Sequence, residues 1–222
     1  MQLKLQEVKK NLKIQSFISQ TEKYLDSLGF TDHGHRHLEI VSSRAMKLAR
    51  EIGMNKKDQE LSGIAGYCHD MGNFLGRTQH HYWAAMLFSQ VYLNEMDNAN
   101  DVSTIMQAIV IHDKDEVKIV SQVAAVLILA DKSDVHRDRV KDKRAVNIKA
   151  DIHDRVNYSV TKNDFQINKQ KKEIILKLKL DTKITEPIEY FEIFMERMIF
   201  CRQAALYLKY KFVLIINDFK LS

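Results

Sequence analysis

Residues 123–130, VAAVLILA, form an unbroken apolar run that ends on Asp131. Such a run belongs inside a core. A carboxylate at its end is costly to bury unless a cation, a hydrogen-bond donor or a metal meets it. The fold of this chain must therefore bring a cation, a donor or a metal to Asp131.

Helical spacing accounts for the run and for most of the chain before residue 140. His37, Val41, Ala45, Leu48 and Ile52 share one face. Leu61, Ile64, Ala65 and Cys68 make a second stripe that leads straight to His69, and Asn55 with Asp58 resembles its capped start. His80, Ala84, Leu87 and Val91 form a third. Val102, Ile105, Ile109 and His112 form a fourth, with Asn100 or Asp101 as its cap. Val120, Ala124, Leu127 and Asp131 form the fifth. All five stripes contain or abut a His or Asp. Every glycine falls between Gly29 and Gly76, and Gly29 and Gly53 read as helix ends.

The pattern changes near residue 150. Val156, Tyr158 and Val160 alternate, as do Phe165 and Ile167, and as do Ile174, Leu176, Leu178 and Leu180. With breaks at Asn163–Asp164 and at 168–172, these segments predict an antiparallel meander. Pro187, the only proline, marks a helix start, with Ile188, Phe191, Met195 and Met198 on one face. Residues 212–216 read as a last strand. The expected architecture is mainly α: a helical bundle over 1–150 and a small antiparallel β-sheet plus helix module over 151–222.

The 222 residues carry a formal net charge of +5, which suits a phosphate-bearing ligand without establishing nucleic-acid binding. The lysines are scattered, and a solvated face accounts for them. Two cysteines, Cys68 and Cys201, cannot build a disulfide framework and read as buried small hydrophobes. The N-terminal residues are charged throughout, with no signal peptide or membrane span, so a cytoplasmic protein is expected.

Taken singly, a His on an apolar stripe is most often a hydrogen-bonded core residue. Taken together, His37, His69, Asp70 and Asp131 offer imidazole nitrogen and carboxylate oxygen, a donor set suited to a borderline divalent metal. Spacing alone leaves their convergence open.

The local contexts are more specific. His69-Asp70 continues as Met71-Gly72-Asn73, and Asp131 sits in Leu129-Ala130-Asp131. In this order, with His37 upstream, the chain resembles the HD-domain phosphohydrolase superfamily over roughly residues 30–145. The C-terminal module looks like the tail of one bacterial branch. The resemblance implies an all-helical fold, a divalent metal on these four residues, and hydrolysis of a phosphate ester such as a nucleotide, a cyclic dinucleotide, an alarmone or a nucleic-acid end.

Branches with two metals add histidines before the last Asp. Arg77-x-x-His80, followed by Ala84-Ala85, and His112-Asp113 are similar to those additions. They imply a second ion on His80 and His112 with Asp70 bridging, the ions being of Mn, Fe, Ni or Mg type. His80 is preferred to its neighbour His81. Asn73 and Asp113 depart from the cyclic-di-GMP branch, which has Lys and a second His there.

The expected reaction is attack by a metal-activated hydroxide, with Asp70 orienting it and with Lys132, Arg77 and Arg139 nearest in sequence to supply positive charge. His33 and His35 are candidates for the mouth of the site. His136 and His153 have no motif support. A mononuclear nucleotidase or triphosphohydrolase and a non-catalytic nucleotide sensor are the alternatives. A nucleic-acid role through Lys141, Lys143 and Arg144 is disfavoured. The expected partners are a small phosphorylated substrate and a second copy paired through the sheet edge.

Overall fold

Asn11, Asn55 and Ser121 each turn a side-chain oxygen onto backbone N–H groups two or three residues ahead, and each starts a helix. The structure, a computed structural model, describes residues 3–93, 99–113 and 118–221. The helical part comprises α1 (Leu5–Lys10), α2 (Leu12–Ser27), α3 (His35–Glu51), α4 (Lys56–Cys68), α5 (His80–Tyr92), α6 (Ala99–Ile111) and α7 (Gln122–Lys132). After α8 (Ala145–Ala150) and α9 (Ile152–Ser159) come β1 (Val160–Asn168), β2 (Glu173–Leu180), α10 (Pro187–Tyr207), β3 (Lys211–Ile216) and β4 (Phe219–Lys220).

The apolar run makes α7 the central helix: every residue from Val123 to Lys132 is buried. It packs against α3, α4, α6 and α10. Glycine sets how closely two of these helices meet. A Cβ on Gly66 of α4 would lie 2.9 Å from Ser42 Cα of α3, so only glycine permits this crossing. The crossing brings His37 on α3 beside His69 at the end of α4. Gly29 and Gly53 have φ of 75° and 86° and terminate α2 and α3, as expected.

The chain is mainly helical with a small sheet at its C-terminal end, as the sequence indicates. The sheet, however, is mixed. Its order is β1-β2-β3-β4, and β2 and β3 run parallel. The reason is α10, which carries the chain back across the sheet, as a parallel pair requires. The antiparallel expectation holds for β1–β2 and β3–β4. One buried cluster runs continuously from Leu3 through the helices to Ile216 in β3.

Several local readings are corrected. Val156 and Tyr158 lie in α9, not in a strand, because Asp151 caps that helix and Ile152, Val156 and Ser159 share its inner face. Asn163 and Asp164 lie inside β1, while the turn expected at 168–172 is present. The buried face of α10 is Tyr190, Phe194, Met198, Cys201 and Ala205; Ile188 and Met195 point outward. Neither Asn100 nor Asp101 caps α6: both lie inside it, and Asp101 pairs with Lys57 at 2.6 Å. Val120 precedes α7 and is exposed. Residues 212–216 do form a strand, but β4 follows it. No described helix is long and apolar enough to cross a membrane.

Candidate metal centre

His37 is fully buried on α3, His69 and Asp70 follow α4, and Asp131 closes the apolar run of α7. Their inward atoms converge. His37 Nε2 lies 3.4 Å from His69 Nε2, 3.6 Å from Asp70 Oδ2 and 3.3 Å from Asp131 Oδ1. His69 Nε2 lies 3.3 Å from Asp70 Oδ2 and 3.6 Å from Asp131 Oδ1. These separations are long for hydrogen bonds. They match the edges of a tetrahedron around one ion, roughly 3.3–3.6 Å when each donor is about 2.0–2.2 Å from it.

The other ring nitrogens settle which atoms are free. His37 Nδ1 donates to Asp134 Oδ2 at 2.7 Å, and His69 Nδ1 donates to the Gly66 carbonyl at 2.9 Å. With the proton on Nδ1, each Nε2 carries a lone pair into the site. Two lone pairs facing each other at 3.4 Å need a cation between them. Outer acceptors of this kind are what orient metal-binding histidines.

A second convergence lies beside the first. Asp70 turns its other oxygen, Oδ1, to His80 Nε2 at 3.1 Å, and His80 Nε2 lies 3.3 Å from His112 Nε2. Again each Nδ1 is occupied: His80 donates to the Arg77 carbonyl at 2.8 Å and His112 to the Ile109 carbonyl at 2.5 Å. Thus Asp70, His80 and His112 form a second buried donor group that shares Asp70 with the first. His80 Nε2 is the atom that reaches Asp70. Asn73 donates to Asp70 Oδ1 at 3.0 Å, and Arg77 donates to Asn73 Oδ1 at 2.8 Å. Gly72 allows this loop to lie on α5: a Cβ there would sit 2.4 Å from Ala84 N.

The electrostatics fit a site for a cation. Burial pulls the His69 pKa down, but the carboxylates of Asp70 and Asp131 outweigh it and raise it to about 10. Burial, then the charges of His69, Lys132 and His80, push His112 down to about 3. Burial would raise Asp131, but Lys132, His37 and His69 hold it well below the usual carboxylate range. In the metal-free protein, then, a proton on His69 takes the place of an ion. Its contribution to stability is complete below about pH 6.5 and is lost as pH rises toward 10. A bound ion displaces that proton, so metal affinity rises over the same range. The melting temperatures with and without Mn²⁺ are therefore expected to diverge between about pH 6.5 and 10. Parallel curves would contradict this account.

Arg77, Lys132, Arg139 and Arg197 bring positive charge to the walls of the cavity over the centre, opposite the carboxylates of Asp70, Asp113 and Asp131, and His33 completes the lining. The Lys132 ammonium bonds to Asp113 Oδ1 at 2.7 Å and lies 3.0 Å from Asp131 Oδ2. Arg139 is not on a continuation of α7. It lies in a tight turn, and its guanidinium donates to the carbonyls of Asp134 at 2.8 Å and Asp32 at 3.1 Å. Of the other histidines, His33 reaches the cavity wall and His136 pairs with Asp138 beside it in sequence. His153 lines an adjoining cavity of about 290 Å³ with Phe30, Asp151 and Asp154. The sequence reading missed Arg197. It projects from α10, far along the chain from any motif, and no spacing marks it.

Helices that converge His and Asp side chains on a buried polar pocket define a metal-binding helical bundle. A family model for the HD domain matches residues 34–146, just over half of the chain. The chain belongs to the HD domain family, whose members are in the main metal-dependent phosphohydrolases. No curated protein matches the chain.

Proposed function

We propose that this chain is a dinuclear metal-dependent phosphohydrolase acting on a small phosphate ester of nucleotide type. One observation carries the reading: Asp70 turns one oxygen to the His37–His69 pair and the other to the His80–His112 pair. His37, His69, Asp70 and Asp131 would hold one divalent ion, and Asp70, His80 and His112 the other. When bound, such ions lower the pKa of water and neutralise charge on phosphoryl oxygens.

The side chains around the ions have separate tasks. Asp70, fixed by Asn73 and through it by Arg77, holds the two halves of the centre in register. Lys132 stays cationic, because Asp131 and Asp113 outweigh the effect of its burial. With Arg77 and Arg197 it presents positive charge where an equatorial phosphoryl oxygen would lie. Arg197 is suited to that task because it makes no hydrogen bond or ion pair among the described residues, and its ring contact with Phe194 leaves its donors free. The adjoining cavity is near the lower end of the size range of small-ligand pockets, roughly 300–1,000 Å³, and Phe30 offers an aromatic wall to the rest of the substrate.

The test is a screen of Mn²⁺-loaded protein against nucleotides, cyclic dinucleotides, alarmones and simple phosphodiesters, with metal counted per chain. The expected result is two ions per chain and hydrolysis within one of these groups. One ion per chain, or no turnover on any of them, would sink the dinuclear reading or the enzymatic one respectively. On the substrate found, Arg197→Ala is expected to raise KM about tenfold to a hundredfold, the worth of one charged hydrogen bond. Metal content should stay unchanged. An unaltered KM would remove Arg197 from the substrate.

A further inference from the structure

The outer face of α10 has a regular pattern that nothing in the metal centre uses. Ile188, Glu192, Met195, Ile199, Arg202 and Leu206 follow one another at alternating steps of four and three residues. That is the heptad spacing of a helix seam made for another helix. The apolar members are open to solvent: Ile188 is 59% exposed, Met195 49%, Ile199 40% and Leu206 63%. The opposite face of α10 is buried against α7, α9 and β3.

The order of these residues is self-complementary. Let two copies of α10 run antiparallel about a two-fold axis level with position 197. Each residue then faces the one equally far on the other side of that position. Ile188 meets the partner's Leu206, and Met195 meets the partner's Ile199. Glu192 meets the partner's Arg202. Apolar residues pair with apolar residues, and the only two charges pair with each other. Neither Glu192 nor Arg202 has an ion pair within its own chain among the described residues, so both are available. The seam is about 27 Å long at 1.5 Å per residue.

We infer that the outer face of α10 is the interface of a two-fold homodimer in which Glu192 and Arg202 set the antiparallel register. This places the second copy on a helix, not on the sheet edge suggested by the alternating strands. Such an interface is isologous: each layer occurs twice. Arg197 lies level with the axis on the far side of the same helix, so dimerisation buttresses the helix that carries it into the metal centre.

The test is mass in solution by light scattering at micromolar concentration. The wild type is expected at twice the chain mass of 25.9 kDa. Glu192→Arg opposes arginine to arginine in two layers, and Arg202→Glu opposes glutamate to glutamate in two. Each variant alone is expected to weaken association at least about tenfold and run as a monomer. Mixing the two variants restores both layers as Arg–Glu pairs, so an equimolar mixture is expected to form a heterodimer. That rescue also excludes misfolding as the cause of the monomers. A monomeric wild type, dimers of either single variant, or a mixture that stays monomeric would overturn the proposal.

Discussion

Replacing Asp70 with alanine is expected to abolish binding of both metal ions and to lower hydrolysis by about a thousandfold or more. The size follows from what the carboxylate does. Oδ2 faces His37 and His69 at 3.6 and 3.3 Å, and Oδ1 faces His80 at 3.1 Å. Without it each histidine pair keeps its nitrogen lone pairs but loses the shared negative charge. Loss of several kcal/mol of charge stabilisation at a phosphoryl group corresponds to about three powers of ten in rate. Asp70→Asn separates the two halves of the claim. It keeps the shape and one oxygen, so it is expected to retain one ion at most while activity still falls. Metal counts and turnover on the two variants, with circular dichroism to check the fold, decide the matter. Full metal content and full activity in Asp70→Ala would refute the assignment.

The elements and the centre differ in how far they can be read in advance. His37, His69, Asp70, His80, His112 and Asp131 all sit on or directly after apolar helical stripes. A buried stripe fixes the direction of a side chain, so the inward set is visible from spacing and motif. Arg197 is different. It lies between the buried face of α10 and its solvent face, and its position depends on how α10 docks on α7. No local pattern encodes that docking. Phe30 and Asp154 are brought together the same way, by loops and a short helix that only tertiary packing places. The parallel pairing of β2 with β3 was also hidden. Alternation in β2 shows which residues face the core, and it says nothing about which strand lies alongside. Across α9 and the start of β1, Val156, Tyr158 and Val160 satisfy a period of two while Ile152, Val156 and Ser159 satisfy a helical one. The Asp151 cap decides for the helix.

Asp134 shows how much of a centre can lie in one residue behind the ligands. Its position three residues after Asp131 suggests only a partner for a nearby cation. In the structure its carboxylate accepts from His37 Nδ1 at 2.7 Å and from Arg36 at 3.2 Å, with Arg139 Nε 4.0 Å away. Burial would raise its pKa, but the His37 hydrogen bond and the Arg139, His37 and Arg36 charges hold it far below the usual range. Asp134→Ala would leave Arg139, which is 3% exposed, without its carboxylate. Removing one partner from a buried ion pair costs about 3–5 kcal/mol. It would also free the His37 ring, and losing such an orienting acceptor costs about tenfold to a hundredfold in metal affinity. Asp134→Asn distinguishes these two effects. Its amide oxygen can still accept from His37 Nδ1, so metal affinity should fall less. The negative charge is gone, so much of the stability loss should remain. Denaturant unfolding and metal titration on both variants test this directly. Equal losses of metal affinity in Asp134→Ala and Asp134→Asn would mean that charge, and not the orientation of His37, is what Asp134 supplies to the centre.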